Sequence, residues 1–210
     1  DYRTKCGNMA GAVGIFSNLL LFILKLAVGI LTASISIMAD AMNNLSDAVS
    51  SVVTLVGFKL AEKPADADHP YGHARYEYLS GLAVAAMILF IGFELAKSSV
   101  EKIIAPEAVE FTWITAAVLL VSMGIKLWLS LFNRRLGKRI GSDTLMATAA
   151  DSRNDVIATG AVLISGIVEH FSGWRIDGYM GLAVAMFILY SGFGLAKDTI
   201  SPLLGEAAGP

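Results

Sequence analysis

Asn43-Asn44-Leu45-Ser46-Asp47 and Asp151-Ser152-Arg153-Asn154-Asp155 decide how the rest of the chain is read. Each puts two oxygen-bearing side chains four residues apart, so on an α-helix both sit on one face, one turn apart. Each lies near the middle of an apolar run long enough to span a bilayer. A carboxylate at the bilayer centre costs roughly 2.5–3.5 kcal/mol, and Asp47, Asp151 and Asp155 together on the order of 7–10 kcal/mol. Protons, or a divalent cation held between the two helices, are the species that offset such a cost.

The composition agrees. Of 210 residues, 55% are hydrophobic and only 16% charged, against about 25% charged in soluble domains; mean hydropathy is +0.64. A membrane protein is indicated. The net charge of −2 says nothing about partners, and the absence of a basic patch with interleaved aromatics argues against nucleic acid. Cys6 is the single cysteine, which excludes an internal disulfide and a thiolate metal cluster. No cleavable signal peptide is read before the first apolar run.

Six apolar segments are read, approximately 8–31, 34–60, 77–103, 111–133, 143–169 and 175–201, each adequate to cross about 30 Å of hydrocarbon. The expected fold is an all-α membrane protein, one transmembrane domain over residues 1–210. The connections near 32–33, 104–110 and 170–174 carry few basic residues. Those at 61–76 and 134–142, with the N-terminus, hold Arg3, Lys5, Lys63, Arg75, Arg134, Arg135, Lys138 and Arg139. Cytoplasmic loops carry the excess of Lys and Arg, so both termini are expected on the cytoplasmic side.

An internal repeat follows. Gly81-Leu82-Ala83-Val84-Ala85 recurs as Gly181-Leu182-Ala183-Val184-Ala185, and Gly92-Phe93 with Leu95-Ala96-Lys97 recurs as Gly192-Phe193 with Leu195-Ala196-Lys197. Asp47 aligns with Asp155 at a similar spacing. The six spans are expected to be two copies of a three-span unit. Because three is odd, the copies lie inverted, an architecture of secondary transporters with the substrate site at the midplane.

Asn43, Asp47, Asp151 and Asp155 supply one amide oxygen and three carboxylates. Hard oxygen donors without imidazole or thiolate suit Mn²⁺, Mg²⁺ or Ca²⁺ better than Zn²⁺, and a site that must strip water from its ion disfavours Mg²⁺. Buried ion pairs with Arg153 or Lys126 are the alternative reading of the same acids. Asp66, His69 and His73, in the loop after the second span, are a candidate cytoplasmic metal site; a turn shaped by Pro70 and Gly72 accounts for them equally well. Lys25, about two-thirds along its span, is expected to snorkel. Lys126 is open between neutralising a core acid and reaching the interface. Glu94 lies inside the third span. Asp40 is expected to line an outer vestibule, Asn44 and Asn154 to serve helix packing because they point roughly 100° from the ligand positions, and His170 to be solvated.

With these residues in view, the chain resembles the cation diffusion facilitator family across essentially its whole length. The resemblance rests on Ala39-Asp40-Ala41-Met42-Asn43-Asn44-Leu45-Ser46-Asp47, on Asp66, His69, Gly72 and His73, and on Asp151 with Asp155. It implies a six-span metal/proton antiporter with Asn43, Asp47, Asp151 and Asp155 as its transport site and Asp66, His69 and His73 as a loop site. The family's zinc members usually place a His in the quartet; Asn and Asp at every position look like the manganese-exporting branch. The resemblance thus implies Mn²⁺ export from the cytoplasm by alternating access in exchange for protons, in a bacterial inner membrane, with no bound cofactor. It also implies a cytoplasmic metal-binding domain after the sixth span that supports a homodimer, and the 210 residues contain no such segment. Zn²⁺ or Fe²⁺ export is the nearest alternative. An intramembrane metalloenzyme would need a general base beside an open metal position, and no His-Glu-x-x-His run is present. A passive channel fits poorly with a multidentate acid site that holds its ion.

Overall fold

A computed structural model describes residues 2–61 and 75–203. Among these residues the chain is entirely helical apart from its connections. It forms α1 (Tyr2–Thr32), α2 (Ile35–Ala61), α3 (Arg75–Ile104), α4 (Trp113–Ile140), α5 (Asp143–Ser172) and α6 (Asp177–Leu203). Among the described residues, stretches long and apolar enough to cross a membrane lie at 5–32, 81–104, 113–140, 145–172 and 177–198. Within α2, Asp40, Asn43, Asn44, Ser46 and Asp47 place a polar face in an otherwise apolar helix.

Surface and interior are inverted relative to a protein stable in water. Phe171 is 83% exposed, Tyr190 80%, Trp113 79% and Leu31 78%, whereas Lys25, Asn44 and Thr159 are 0% exposed. Lipid is the solvent that tolerates this outside, and only mutual pairing tolerates that inside. The apolar core, with Ile37, Ala39, Val84, Ile88, Leu119, Val162, Val184 and Ile188, joins α2 to α3, α4, α5 and α6.

The connections are set by local chemistry. Thr112 caps α4 by accepting from the Thr115 amide at 3.4 Å, and Ser142 caps α5 by accepting from the Leu145 amide at 3.2 Å. Gly141 ends α4 at φ 63° and Gly173 ends α5 at φ 75°, the left-handed conformation that glycine adopts without a Cβ penalty. α4 therefore runs through Arg134, Arg135, Lys138 and Arg139 to Ile140 rather than ending at residue 133. Basic residues are good helix formers and favourable at a helix C-terminus, so the expected loop over 134–142 shrinks to Gly141 and Ser142.

Helices stack in opposite directions. In α3 and α6, a Cβ on Gly92 would meet Leu189 Cγ at 2.8 Å, one on Gly192 would meet Leu89 Cδ2 at 3.0 Å, and one on Gly178 would meet Ile103 Cγ1 at 3.0 Å. Phe93 and Phe193 meet edge to face at 6.4 Å. α1 runs against α4, since Arg3 donates to the Gly141 carbonyl at one end while Asn18 meets Lys126 further along. α2 runs against α5, with Asn43 on Asp155 and Thr159 on Asp40.

Candidate metal transport site

α2 and α5 cross where their polar faces meet. Asn43 Nδ2 donates to Asp155 Oδ1 at 3.0 Å. Asp155 Oδ2 takes the Lys126 ammonium of α4 at 2.7 Å, and the same ammonium lies 3.7 Å from Asp47 Oδ2. Asn43, Asp47, Asp151 and Asp155, with Ser46, Asn154 and Ser191, line a single cavity of about 210 Å³ that Ile88, Phe187 and Ile188 also line. The quartet predicted from two stretches more than a hundred residues apart is thus gathered around one cavity.

It is not drawn into a closed cage. Among the described residues, no three Asp, Glu, His or Cys side chains stand close enough to share one ion. Asp155 is buried with both oxygens engaged, whereas the Asp47 side chain is 40% exposed and Asp151 is exposed. The ion pair weighed as an alternative for these acids is present: Lys126 neutralises Asp155 instead of reaching the interface. Arg153, the other partner considered, is exposed. Asp66, His69 and His73 lie outside the described residues.

A second buried pair corrects two expectations. Lys25 does not snorkel: its Nζ lies 3.0 Å from Asp40 Oδ2, 2.8 Å from Asn44 Oδ1 and 3.1 Å from Thr159 Oγ1. Asp40 is 1% exposed and also accepts from Thr159 Oγ1 at 2.7 Å, so it belongs to the bundle interior and not to a vestibule. The distance of Lys25 along its span gave no indication of which face α1 turns inward, and that face points at α2. Asn44 packs between helices as expected, through the Lys25 ammonium. Asn154 instead lines the cavity. Glu94 is exposed, and His170 lies against Phe111 and Phe171 at ring separations of 6.4 and 5.1 Å.

Asn18 links the two pairs. Its Oδ1 accepts from Lys126 Nζ at 2.5 Å and from Asn44 Nδ2 at 3.5 Å, while its Nδ2 donates to the Gly14 carbonyl at 2.9 Å. Asn18 was not singled out from the sequence, because an amide in an apolar span gives no sign of its partner. Asp177 was missed as well. It accepts from Ser34 Oγ and Ser36 Oγ at 2.6 Å each and from the Ile35 amide at 2.7 Å, and pairs with Lys102 at 2.9 Å, fastening the start of α2 to α3 and α6. A lysine in one helix with an acid in the next (Lys25 of α1 with Asp40 of α2, Lys126 of α4 with Asp155 of α5) was the available signal for both buried pairs.

Residues 12–204 match the family described as the cation efflux transmembrane domain. Similar proteins include an uncharacterized transporter of Methanocaldococcus jannaschii, 32% identical over 93% of this chain and 69% of its own length. The manganese efflux system protein MneS of Bacillus subtilis is 29% identical over 93% of this chain and 67% of its own length. The cation-efflux pump FieF of Shewanella oneidensis is 27% identical over 93% and 66%.

Proposed function

The chain belongs to the cation efflux family, integral membrane transporters of metal cations rather than enzymes, and from that premise we propose that it exports Mn²⁺ from the cytoplasm in exchange for protons. The observation that carries the reading is the single cavity shared by Asn43, Asp47, Asp151 and Asp155. Three carboxylates and an amide oxygen are hard donors that favour Mn²⁺ over Zn²⁺, and a relative described as a manganese efflux system protein agrees with that choice. Carboxylate oxygens bind protons as well as metal ions, so protons are the natural competitors for the metal's place.

Alternating access needs two halves that rock about the site. Two inverted three-helix repeats supply them: the corresponding helices α1 and α4, α2 and α5, α3 and α6 are antiparallel. The reciprocal contacts of Gly92 with Leu189 and of Gly192 with Leu89 support a two-fold relation near that level. The exposed basic residues Arg134, Arg135, Lys138 and Arg139 at the end of α4, beside the start of α1, support cytoplasmic termini; bacterial relatives support placement in an inner membrane, and a homodimer is proposed as the working unit. Asp66, His69 and His73 are proposed as an accessory cytoplasmic metal site.

Proteoliposomes loaded with a pH-sensitive dye and a Mn²⁺ reporter test the proposal. Mn²⁺ flux accompanied by opposite proton flux is expected, with both lost in Asp47→Ala and in Asp155→Ala. Mn²⁺ flux that survives Asp47→Ala, or that runs without proton counterflow, overturns it.

A further inference from the structure

We propose that the Lys126 ammonium is a tethered counter-cation of the transport site, seated between Asp155 and Asp47 until an arriving divalent ion displaces it. The inference rests on the reading of the quartet as the transport site and adds the group that competes for it.

Lys126 is 1% exposed. Its Nζ contacts Asp155 on α5 at 2.7 Å and Asp47 on α2 at 3.7 Å. That is the bridging position a divalent ion must take to hold both carboxylates at once, and two cations cannot share it in a low-dielectric interior, where their repulsion is far stronger than in water. Displacement does not strand the lysine. Asn18 Oδ1, on α1 and not among the residues lining the cavity, already accepts from Nζ at 2.5 Å, so a small retreat keeps a strong partner.

The charge balance points the same way. Three carboxylates, when ionised, are matched by one divalent ion plus one ammonium. Without the metal, the ammonium is what keeps Asp155 from being an uncompensated buried charge. After the metal leaves, the lysine refills the gap and opposes rebinding, which favours release. A monovalent ion brings no more charge than the ammonium it would have to displace, so the tether also selects for divalent cargo. One cation exchanges for another, and no covalent bond forms or breaks.

Calorimetric Mn²⁺ titration of the purified chain, with folding checked by circular dichroism, tests this on native protein, Lys126→Met and Lys126→Arg. Coupling between competing ligands typically amounts to about 5–150-fold. Lys126→Met is expected to bind Mn²⁺ at least about fivefold more tightly, and Lys126→Arg, whose forked guanidinium grips carboxylates more firmly, at least about fivefold more weakly. Unchanged or weaker binding by folded Lys126→Met overturns the inference. Should that variant fail to fold, Lys126→Arg decides, and native or tighter affinity overturns it. Native protein labelled with ¹⁵N-lysine provides a readout free of mutation. Infrared difference spectra on Mn²⁺ addition are expected to show an isotope-sensitive ammonium band, and its absence counts against displacement. Asp47→Ala and Asp155→Ala separate the two levels. Binding indifferent to both refutes the transport site itself, whereas binding lost in both but native-like in the Lys126 variants refutes only the tether.

Discussion

Lys25 Nζ and Asp40 Oδ2 lie 3.0 Å apart, with the two side chains 0% and 1% exposed. Removing one member of a buried pair leaves the other charged and unpaired, which typically costs about 3–5 kcal/mol. Lys25→Met and Asp40→Asn are therefore each expected to lower the thermal unfolding midpoint in detergent sharply. The double variant is expected to recover most of the loss, since neither side chain then carries a buried, unpaired charge. A double variant no more stable than the singles would show that the pair is not acting as a unit.

The six helices were legible because apolar runs of span length leave a chain little choice in lipid. The convergence of Asn43, Asp47, Asp151 and Asp155 on one cavity was legible because carboxylates inside a span need a reason. The details that failed depend on information no local window holds. Whether Lys25 snorkels depends on which face of α1 meets α2, and the destination of the Asp177 carboxylate is set by groups up to 143 residues away. The end of α4 was misplaced for a different reason: loss of apolarity at residue 134 marks the edge of the hydrocarbon, while the helix itself continues to its glycine stop at Gly141.

Asn43→His tests what sets metal preference. Imidazole suits Zn²⁺ better than an amide oxygen does, and a protonated ring nitrogen retains a donor for Asp155 Oδ1, which now takes the Asn43 amide at 3.0 Å. Competition between Mn²⁺ and Zn²⁺ for the purified protein is expected to shift toward Zn²⁺ by about tenfold, the ratio produced by about 1.4 kcal/mol. An unchanged preference would mean that Asn43 does not contribute to selectivity.

Ala33 holds φ 58° between α1 and α2, a conformation that costs an L-residue roughly 1–2 kcal/mol. The turn is over-determined: the Ser34 amide donates to the Gly29 carbonyl at 3.0 Å, the Glu110 amide donates to the Thr32 carbonyl at 3.0 Å, and Lys102 donates to the Ala33 carbonyl. Ala33→Gly relieves the strain at some loss of unfolded-state rigidity. A net gain of about 0.5–1 kcal/mol is expected, the strain relieved less the entropy lost to a freer unfolded chain, read as a raised unfolding midpoint; a lowered one would show that the turn has no strain to release.

Gly92 and Gly192 let α3 and α6 approach closely, and alanine at the two positions should not be equivalent. A methyl group on Gly92 would lie 2.8 Å from both Cγ and Cδ2 of Leu189, which is 5% exposed; moving Cγ means moving the whole side chain within a packed interior. A methyl on Gly192 would meet Leu89 Cδ2 at 3.0 Å and both Leu89 Cγ and Ile88 Cγ2 at 3.1 Å, all longer than the 2.8 Å contacts at Gly92, and Leu89 is only half-buried, so smaller shifts make room. Overpacking costs typically about 1–3 kcal/mol, and Gly92→Ala is expected near the top of that range with Gly192→Ala near the bottom. Gly14, with nothing within 4 Å of a Cβ, is the control: Gly14→Ala keeps only the helix-propensity gain of about 1 kcal/mol. Adding Leu189→Ala to Gly92→Ala makes room for the new methyl, so in unfolding measurements the two substitutions together should cost less than the sum of their separate losses. Strict additivity would place the origin of the Gly92 effect somewhere other than the α3–α6 contact.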